Sequence, residues 1–560
     1  MSVSLTPPGI SGARALVDAL LVHGADTAYG VPGESYLAVL DALHDVQDRL
    51  KFVICRQEGG AAYMADAYGK LTGRPGICFV TRGPGATNAS VGVHTAYQDS
   101  SPMILFIGQV ARDTMEREAF QEIDYRRMFA PLAKWVAQID DAQRIPEFIS
   151  RAFHVATSGR PGPVVLALPE DMLFDVCTTP QPQRYRRVAP APAPADLAEL
   201  RARLASATAP LMILGGRGWT EAACADIRRF AEHWQLPVAC AFRYQDLFDN
   251  RHPLYVGDVG LGINPKLAAR IKDADLVITV GARLGESTTS GYALLGIPRP
   301  AQTLVHVHAG CDELGRVYAA DLPINSGYPE FAAAAAALPP PAALPWSGSA
   351  DAGRNAYLAW SEPTTTPGAL QMGEVMRCLR ETLPEDAILC NGAGNYAIWL
   401  HRFYRYRRFG TQLAPTNGSM GYGVPAAVAA KLACPERVVI AFAGDGCFLM
   451  NGQELATAVQ HRAAVIFIVV NNGMYGTIRM HQEKTFPARV LGTQLVNPDF
   501  AALAQAYGAY GEIVESTAAF APAFARAQAA GCPALLELRV DPEALTPGAS
   551  LSQLRQAALG

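Results

Sequence analysis

Residues 437–476 read RVVIAFAGDGCFLMNGQELATAVQHRAAVIFIVVNNGMYG, and this stretch decides the fold class. Residues 437–443 and 465–470 are short, apolar, β-branched runs typical of buried strands, and a helical periodicity separates them. A strand, a helix and a strand of these lengths predict a parallel crossover unit. Both strands of such a unit end at the same edge of the sheet.

Polar residues follow each of the two predicted strands. Asp445 stands between Gly444 and Gly446 after the first, and Asn472 follows the second. Open α/β sheets bind ligands at this edge, and oxygen ligands suit Mg²⁺, which completes its octahedron with phosphates and water. The carbonyl oxygen of Met474 is a further candidate ligand. Either turn alone would be ordinary, but the two together indicate a magnesium and phosphate site. The glycines contribute to such a site because they let the backbone approach a phosphate closely.

Composition places the chain in a broad class. A chain of 560 residues predicts roughly three domains, and 50% hydrophobic with 18% charged residues is typical of large buried sheets. The net charge of −4 gives no reason to expect nucleic acid or a membrane surface as partner. The 11 cysteines form no CxxC pair, so neither a disulfide framework nor a zinc site is expected. Without a secretory signal pattern or a transmembrane run, we expect a cytoplasmic protein.

Two shifts in composition predict linkers. Residues 178–195 are rich in proline and arginine, and residues 338–368 contain three consecutive prolines with glycine and serine. They divide the chain into domains of about 1–180, 190–340 and 365–560. Short apolar runs alternate with helical patterns in each, so the predicted fold class is α/β, with three doubly wound parallel sheets.

Glu58 is the acidic residue that matters most in the first predicted domain. It follows a strand predicted at residues 52–55 and begins a helix of small residues. An acidic side chain is favourable in the first turn of a helix, so Glu58 could simply be a cap. An acid poorly solvated in an apolar cleft can also share a proton, which leaves a catalytic role open.

The pair GDG and NN resembles the signature of thiamine diphosphate enzymes. Residues 81–88 (TRGPGATN), 95–103 (TAYQDSSPM) and 119–124 (AFQEID) further resemble the acetolactate synthase branch of that family. The resemblance implies thiamine diphosphate with Mg²⁺, a pyrimidine-binding first domain, a central domain and a diphosphate-binding third domain. It also implies a homodimer or homotetramer in which the first domain of one chain and the third domain of another enclose the cofactor.

The resemblance assigns expected roles to individual residues. Glu58 would activate the cofactor, Gln121 and Lys134 would orient a second substrate, and Met420 would hold the cofactor in a bent form. Expected cofactor contacts are Gly394, Asn395, Tyr396, Met420, Gly444, Gly446 and Met474.

Two positions depart from the synthase pattern. Glu34 stands where synthases have glycine and where simple 2-oxo acid decarboxylases often have an acid, which makes it a candidate proton donor. His481 stands where synthases have tryptophan. The expected activity is decarboxylation of a 2-oxo acid with carboligation to a second carbonyl compound. The alternatives are a non-oxidative decarboxylase or related lyase of the same family and, remotely, a non-catalytic cofactor-binding homologue.

The central domain carries weaker signals. Residues 211–218 and 276–283 each predict a strand running into a glycine turn, as in any nucleotide-binding sheet. FAD, another nucleotide or nothing are all compatible with this pattern. His306 and His308 alternate along a predicted strand, which is more typical of packing than of a metal pair.

Overall fold

The computed structural model describes residues 9–559 and contains three six-stranded sheets, each parallel throughout. By internal contacts, the N-terminal domain up to Val188, together with Val428–Ala433, forms one compact unit. Ala189–Ala427 and the chain from Cys434 onward form a second unit that holds the central and C-terminal sheets. The predicted α/β class with three parallel sheets is confirmed.

The N-terminal sheet has the strand order β3-β2-β4-β5-β7-β6, so the order reverses between β2 and β4. Its strands, with the short pair β1 and β8, are β1 Ile10–Ser11, β2 Thr27–Gly30, β3 Lys51–Ile54, β4 Gly76–Val80, β5 Met103–Gln109, β6 Trp135–Gln138, β7 Pro163–Pro169 and β8 Val176–Cys177. The helices are α1 Gly12–Val22, α2 Leu37–His44, α3 Glu58–Thr72, α4 Pro84–Asp99, α5 Tyr125–Phe129 and α6 Ile145–Thr157.

The central sheet has the order β11-β10-β9-β12-β13-β14 and reverses between β9 and β12. Its strands are β9 Pro210–Leu214, β10 Val238–Ala241, β11 Tyr255–Val259, β12 Leu276–Val280, β13 Thr303–His308 and β14 Leu322–Asn325. The helices are α7 Pro194–Ser206, α8 Glu221–Trp234, α9 Pro265–Asp273, α10 Tyr328–Ala336 and α11 Ser349–Trp360.

The C-terminal sheet has the order β16-β15-β17-β18-β20-β19 and reverses between β15 and β17. Its strands are β15 Ile388–Asn391, β16 Gln412–Leu413, β17 Val439–Gly444, β18 Ile466–Asn471, β19 Tyr510–Val514 and β20 Ala534–Arg539. The helices are α12 Met372–Thr382, α13 Tyr396–Phe403, α14 Gly423–Ala433, α15 Asp445–Phe448, α16 Glu454–Gln460, α17 Gly476–Thr485, α18 Phe500–Ala506, α19 Thr517–Ala529 and α20 Leu551–Leu559.

The crossover after Gly444 differs from the single helix that the periodicity indicates. The structure has two short helices, α15 and α16, and Leu449 between them is 45% exposed instead of buried. Gly452 interrupts the helix, because glycine is a poor helix former and the backbone here packs against Phe448. The two flanking strands lie close to the predicted residues, as β17 and β18.

The two predicted linkers have different structures. Residues 178–193 contain no helix or strand, in keeping with a proline-rich connector. The second stretch instead contains α11, whose Tyr357 ring is buried 5.0 Å from that of Tyr255 on β11. The proline and glycine content of residues 338–368 hides the helical pattern of α11 in the sequence. Over residues 9–559, no helix is long and apolar enough to cross a membrane.

One buried carboxyl group fastens the central domain to the edge of the C-terminal sheet. Oδ2 of Asp246 accepts hydrogen bonds from the backbone N–H groups of Gly410 at 3.0 Å, Thr411 at 3.0 Å and Gln412 at 3.2 Å. Burial raises the pKa of the Asp246 carboxyl, although the nearby Arg217 guanidinium and these N–H groups oppose the rise. The ionised form therefore costs folding free energy at neutral pH, and the three N–H bonds offset that cost.

We expect Asp246→Ala to lower the apparent unfolding temperature by several degrees. The change leaves three buried N–H groups without an acceptor, at about 1–3 kcal/mol for each unsatisfied group. The matched variant Asp246→Asn keeps an oxygen acceptor and removes the buried charge, so it should unfold close to wild type. Scanning calorimetry at one scan rate and pH 7 measures both. Equal unfolding temperatures for the two variants would contradict this role.

Candidate active site

A cavity of about 230 Å³ opens at the carboxyl edge of the C-terminal sheet. It lies where β15, β17 and β18 end, at the reversal of strand order, which is where open α/β sheets bind ligands. The sequence-predicted residues that line it are Gly394, Asn395, Tyr396, Met420, Gly444, Asp445, Gly446, Asn472 and Met474. The structure therefore brings together every residue predicted for the metal and the diphosphate.

Asp445 begins α15 directly after β17 and is 3% exposed. Its Oδ1 accepts from the N–H of Gly446 at 2.9 Å, and its Oδ2 accepts from Nδ2 of Asn497 at 2.8 Å. Burial raises the pKa of the Asp445 carboxyl, and these hydrogen bonds only partly oppose that rise. A carboxylate so poorly solvated gains strongly from a cation placed in the cavity.

Asn497 is a site residue that sequence reasoning missed. It lies in the loop before α18, away from any strand end, and donates from Nδ2 to Asp445 and, at 2.9 Å, to Oδ1 of Asn471. Its own Oδ1 is buried and has no hydrogen-bond partner among residues 9–559. An unpaired oxygen beside a buried carboxylate is compatible with a cation or its bound water at this place.

Asn472 supplies the second predicted oxygen ligand. It follows β18, and its Oδ1 accepts from the N–H of Met474 at 3.2 Å across a turn in which Gly473 has a φ of +67°. The donor set of the cavity is therefore a carboxylate, a carboxamide and a main-chain carbonyl, all hard oxygen ligands. This set fits Mg²⁺ rather than a soft metal.

Gly446 lets the Tyr475 ring pack closely against the turn after β17. A Cβ at this position would lie 2.4 Å from Cε1 of Tyr475, so no larger residue fits without a shift. Asn395 also lines the cavity, and its Oδ1 accepts from Oγ1 of Thr477 at 2.9 Å. Met420 lines the cavity and packs against the C-terminal core. The cavity thus combines polar turns with an apolar wall.

Tyr396 and Cys447 hold the turns around the cavity. The Tyr396 hydroxyl accepts from the N–H of Gly392 at 3.0 Å and lies 3.3 Å from Sγ of Cys447. The N–H of Gly421 donates to the same sulfur at 3.1 Å. Burial raises the pKa values of both the Tyr396 hydroxyl and the Cys447 thiol. The hydroxyl of Tyr396, an expected cofactor contact, is therefore engaged by the backbone and lies beside the thiol.

Cys447 carried no signal in the sequence, because a single cysteine after a glycine turn has no characteristic spacing. The structure shows that it connects the segment before α13, the segment before α14 and α15 itself. All three line the cavity.

Glu58 begins α3 at the carboxyl edge of the N-terminal sheet, and Gln57 caps that helix with its side chain. Oε2 of Glu58 accepts from Nδ2 of Asn88 on α4 at 2.9 Å. A Cβ at Gly85 would lie 3.5 Å from Oε1. Glu58 is partly exposed, and the side-chain cap of α3 is provided by Gln57, with Glu58 as the acidic residue of the first turn.

Glu34 and Gln121 lie at the same edge. Oε1 of Glu34 accepts from Nη2 of Arg82 at 3.1 Å, and Arg82 also donates to Oε2 of Glu170 at 2.8 Å. The Gln121 backbone, with a φ of +66°, packs on Gly83 in the turn that contains Arg82. Sequence reasoning missed Arg82 because glycine and proline dominate its turn.

The structure separates Lys134 from these residues. Lys134 precedes β6 and therefore lies at the amino edge of the parallel sheet, opposite to Glu58. Its Nζ donates to the carbonyl oxygens of Val155 at 2.6 Å and Ser158 at 2.7 Å, at the C-terminal end of α6. A cation is favourable at that end of a helix, so the contacts of Lys134 are those of a helix cap.

The central histidines are buried and bonded to the backbone. Nε2 of His306 lies 2.9 Å from the Ala282 carbonyl oxygen, and Nδ1 of His308 lies 3.0 Å from the N of Gly310. Burial lowers the pKa of His306 to about 4. No cluster of three or more potential metal-ligating His, Cys, Asp or Glu side chains occurs within residues 9–559.

Three family models match the chain. They describe the N-terminal TPP binding domain of thiamine pyrophosphate enzymes over residues 10–128, the central domain over residues 197–334, and the C-terminal TPP binding domain over residues 392–538. The two TPP binding models cover the residues around Glu58 and the cavity.

Similar proteins cover most of the chain. The acetolactate synthase large subunit of Parasynechococcus marenigrum (strain WH8102) is 34% identical over 90% of this chain and 83% of its own. The probable acetolactate synthase large subunit of Methanocaldococcus jannaschii is 30% identical, covering 98% and 95%. Acetolactate synthase isozyme 2 large subunit of Escherichia coli (strain K12) is also 30% identical, covering 90% of each chain. This chain therefore belongs to the acetolactate synthase family of thiamine diphosphate-dependent enzymes.

Proposed function

We propose that the protein catalyses the thiamine diphosphate- and Mg²⁺-dependent decarboxylation of a 2-oxo acid and joins the remaining acyl group to a second carbonyl compound. The observation that carries this proposal is the cavity in which Asp445, Asn472 and Met474 meet the glycine turns. When bound, the cofactor supplies the electron sink that no amino-acid side chain provides.

The cavity residues would hold the metal and the diphosphate. The Asp445 carboxylate, the Asn472 carboxamide oxygen and the Met474 carbonyl oxygen would bind Mg²⁺, which keeps its remaining positions for phosphate oxygens and water. The segment from Gly394 to Tyr396 and the turn at Gly444 and Gly446 would contact the phosphates through the backbone. Met420 would support the cofactor from the apolar wall.

Glu58 would hold a proton at a ring nitrogen of the cofactor's pyrimidine. Its hydrogen bond from Asn88 fixes one carboxyl oxygen and leaves the other to face the ligand. An apolar site that excludes water would favour departure of CO2, because that step disperses charge. Gln121, at the same edge, would orient the second substrate.

We propose that the protein works as a homodimer or homotetramer in which Glu58 of one chain acts on cofactor held by another. Exposed apolar side chains near Glu58 support this, since Ile54 is 36% and Val91 39% exposed next to a polar catalytic group. A sedimentation measurement that finds only monomers in active protein would contradict it.

The relatives that cover most of the chain are named acetolactate synthases, which favours ligation over simple decarboxylation. Glu34, which forms an ion pair with Arg82, would be the proton donor of the alternative decarboxylase. Product analysis with pyruvate alone, and with pyruvate plus 2-oxobutanoate, tests the proposal. We expect acetohydroxy acids, and acetaldehyde without any ligation product would contradict the ligase assignment.

Glu58→Gln and Asp445→Ala should fail in different ways. The first should bind thiamine diphosphate normally but lose roughly 10²- to 10⁴-fold in turnover, because a general acid–base group is removed. The second should lose Mg²⁺-dependent cofactor binding. Calorimetric titration and turnover separate the two effects. The control is Asp386→Asn, which changes an acid of the same domain as Asp445 whose side chain is 41% exposed, and it should match wild type. Normal turnover in Glu58→Gln would contradict its assigned role.

Cys447→Ala should weaken thiamine diphosphate binding by roughly 3- to 10-fold, the loss expected when a buried hydrogen bond that orders the site is removed. Cys447→Ser keeps a group that can accept from Gly421 and pair with Tyr396, so it should bind within about 2-fold of wild type. Titration calorimetry at saturating Mg²⁺ measures both. Equal affinities for the two variants would show that the sulfur contacts do not order the cavity.

A further inference from the structure

Arg82 is a buried guanidinium at the carboxyl edge of the N-terminal sheet. It lies directly after β4, and Glu34 follows β2, so the two flank the reversal of strand order. The Arg82 side chain is only 9% exposed. Crevices at such reversals are where α/β sheets bind ligands. The sequence signals used for the cofactor do not explain a cation at this place.

The N–H donors of the Arg82 guanidinium are unequally used. Nη1 donates to Oε2 of Glu170 at 2.8 Å, whereas Nη2 donates to Oε1 of Glu34 at 3.1 Å. Nε is buried and has no hydrogen-bond partner within residues 9–559. Nε and one Nη group of a guanidinium together bind a carboxylate through two parallel hydrogen bonds. The guanidinium therefore has one group, Nη1, that is well bonded to Glu170. We call the edge formed by Nε and Nη2, which has a single long hydrogen bond, the incompletely filled side.

The groups beside the incompletely filled side are the ones that can move. The Glu34 side chain is 66% exposed, against 38% for Glu170, so water can solvate the Glu34 carboxylate when its bond to Arg82 opens. The Phe120 ring lies 5.9 Å from the guanidinium carbon, and Phe120 is 71% exposed. An incoming anion can displace Glu34 at small cost and satisfy both Nε and Nη2, while Glu170 keeps the guanidinium in place.

The turn that carries Arg82 also touches the proposed catalytic residues. Gly83 packs on the backbone of Gln121, and Gly85 faces Oε1 of Glu58. An anion held by Arg82 would therefore lie beside the turn that the reacting groups share. Which substrate Arg82 can usefully bind depends on whether that substrate keeps its carboxylate during the reaction.

Resting on the proposed function, we propose that Arg82 binds the retained carboxylate of the second substrate, a 2-oxo acid, in place of Glu34. The first substrate loses its carboxylate as CO2, and an ion pair to a carboxylate that must leave stabilises the ground state and slows the step. The second substrate keeps its carboxylate throughout. Arg82 is thus a specificity-determining residue that favours a 2-oxo acid over a neutral aldehyde as acceptor.

The test compares Arg82→Met with wild type, using pyruvate as donor and either 2-oxobutanoate or the neutral benzaldehyde as acceptor. Arg82→Met should raise the KM for 2-oxobutanoate roughly 10- to 100-fold, because a charge-assisted pair is lost. CO2 release and ligation to benzaldehyde should change less than about 3-fold, so the product ratio shifts toward the aldehyde adduct. Arg82→Lys, which restores the charge without the paired geometry, should recover part of the loss.

Arg112 provides the matched control. It follows β5 at the same sheet edge, and its guanidinium is fully engaged by Asp171 at 2.8 Å, Asp175 at 2.7 Å and the Asp140 carbonyl at 2.7 Å. Arg112→Met should therefore leave the KM for 2-oxobutanoate unchanged. A folded Arg82→Met protein with an unchanged KM, or a parallel loss with both acceptors, would overturn the proposal.

A binding measurement separates this inference from the proposed function. The unreactive carboxylate oxamate, titrated by calorimetry, should bind wild type and bind Arg82→Met at least about 10-fold more weakly. If wild type releases no CO2 from any 2-oxo acid, the proposed function fails, and the oxamate result alone decides the anion site. Equal oxamate binding by both proteins would overturn it.

Discussion

The buried carboxylate of Asp445 is the constraint on which the rest of the site depends. It lies at the end of a parallel strand, where burial makes its charge costly unless a cation or hydrogen-bond donors compensate. The surrounding chain supplies two donors, Gly446 and Asn497, and Asn472 adds an oxygen at the neighbouring strand end that a shared cation could use. The geometry suits a metal that carries phosphate.

The same topological feature organises both halves of the proposed chemistry. In the C-terminal sheet, the reversal of strand order places Gly394 and Asp445 side by side, and the cavity opens there. In the N-terminal sheet, the equivalent reversal places Glu34 beside Arg82. One edge collects oxygen ligands and glycine turns, as a diphosphate requires. The other collects carboxylates and a guanidinium, which suits proton transfer and recognition of an acidic substrate.

The fold and the position of the C-terminal cavity could be predicted from sequence because their signals are local. Apolar β-branched runs mark the strands, and Asp445 and Asn472 each stand one step beyond a strand, where parallel topology brings them together. Asn497, Cys447 and Arg82 could not be found this way. Their roles depend on hydrogen bonds to residues distant in the chain, such as Tyr396 for Cys447 and Glu170 for Arg82.

Lys134 shows that a resemblance can single out a residue without revealing where it lies in the fold. The resemblance assigns this basic residue to the second substrate, whereas it lies before β6 and caps a helix at the opposite edge. Position relative to a strand decides which edge a side chain occupies, and the resemblance does not give that position for Lys134. The structure instead shows Arg82 as a cation at the edge that carries Glu58.

The central claim is that a divalent cation is held between two strand ends of the C-terminal sheet. Crystals grown with thiamine diphosphate and Mn²⁺ in place of Mg²⁺ locate the metal directly by its anomalous scattering. The account predicts one peak per chain, at about 2.0–2.3 Å from the carboxylate of Asp445, the Oδ1 of Asn472 and the carbonyl oxygen of Met474. A metal peak elsewhere, with the diphosphate bound away from these three oxygens, would contradict it.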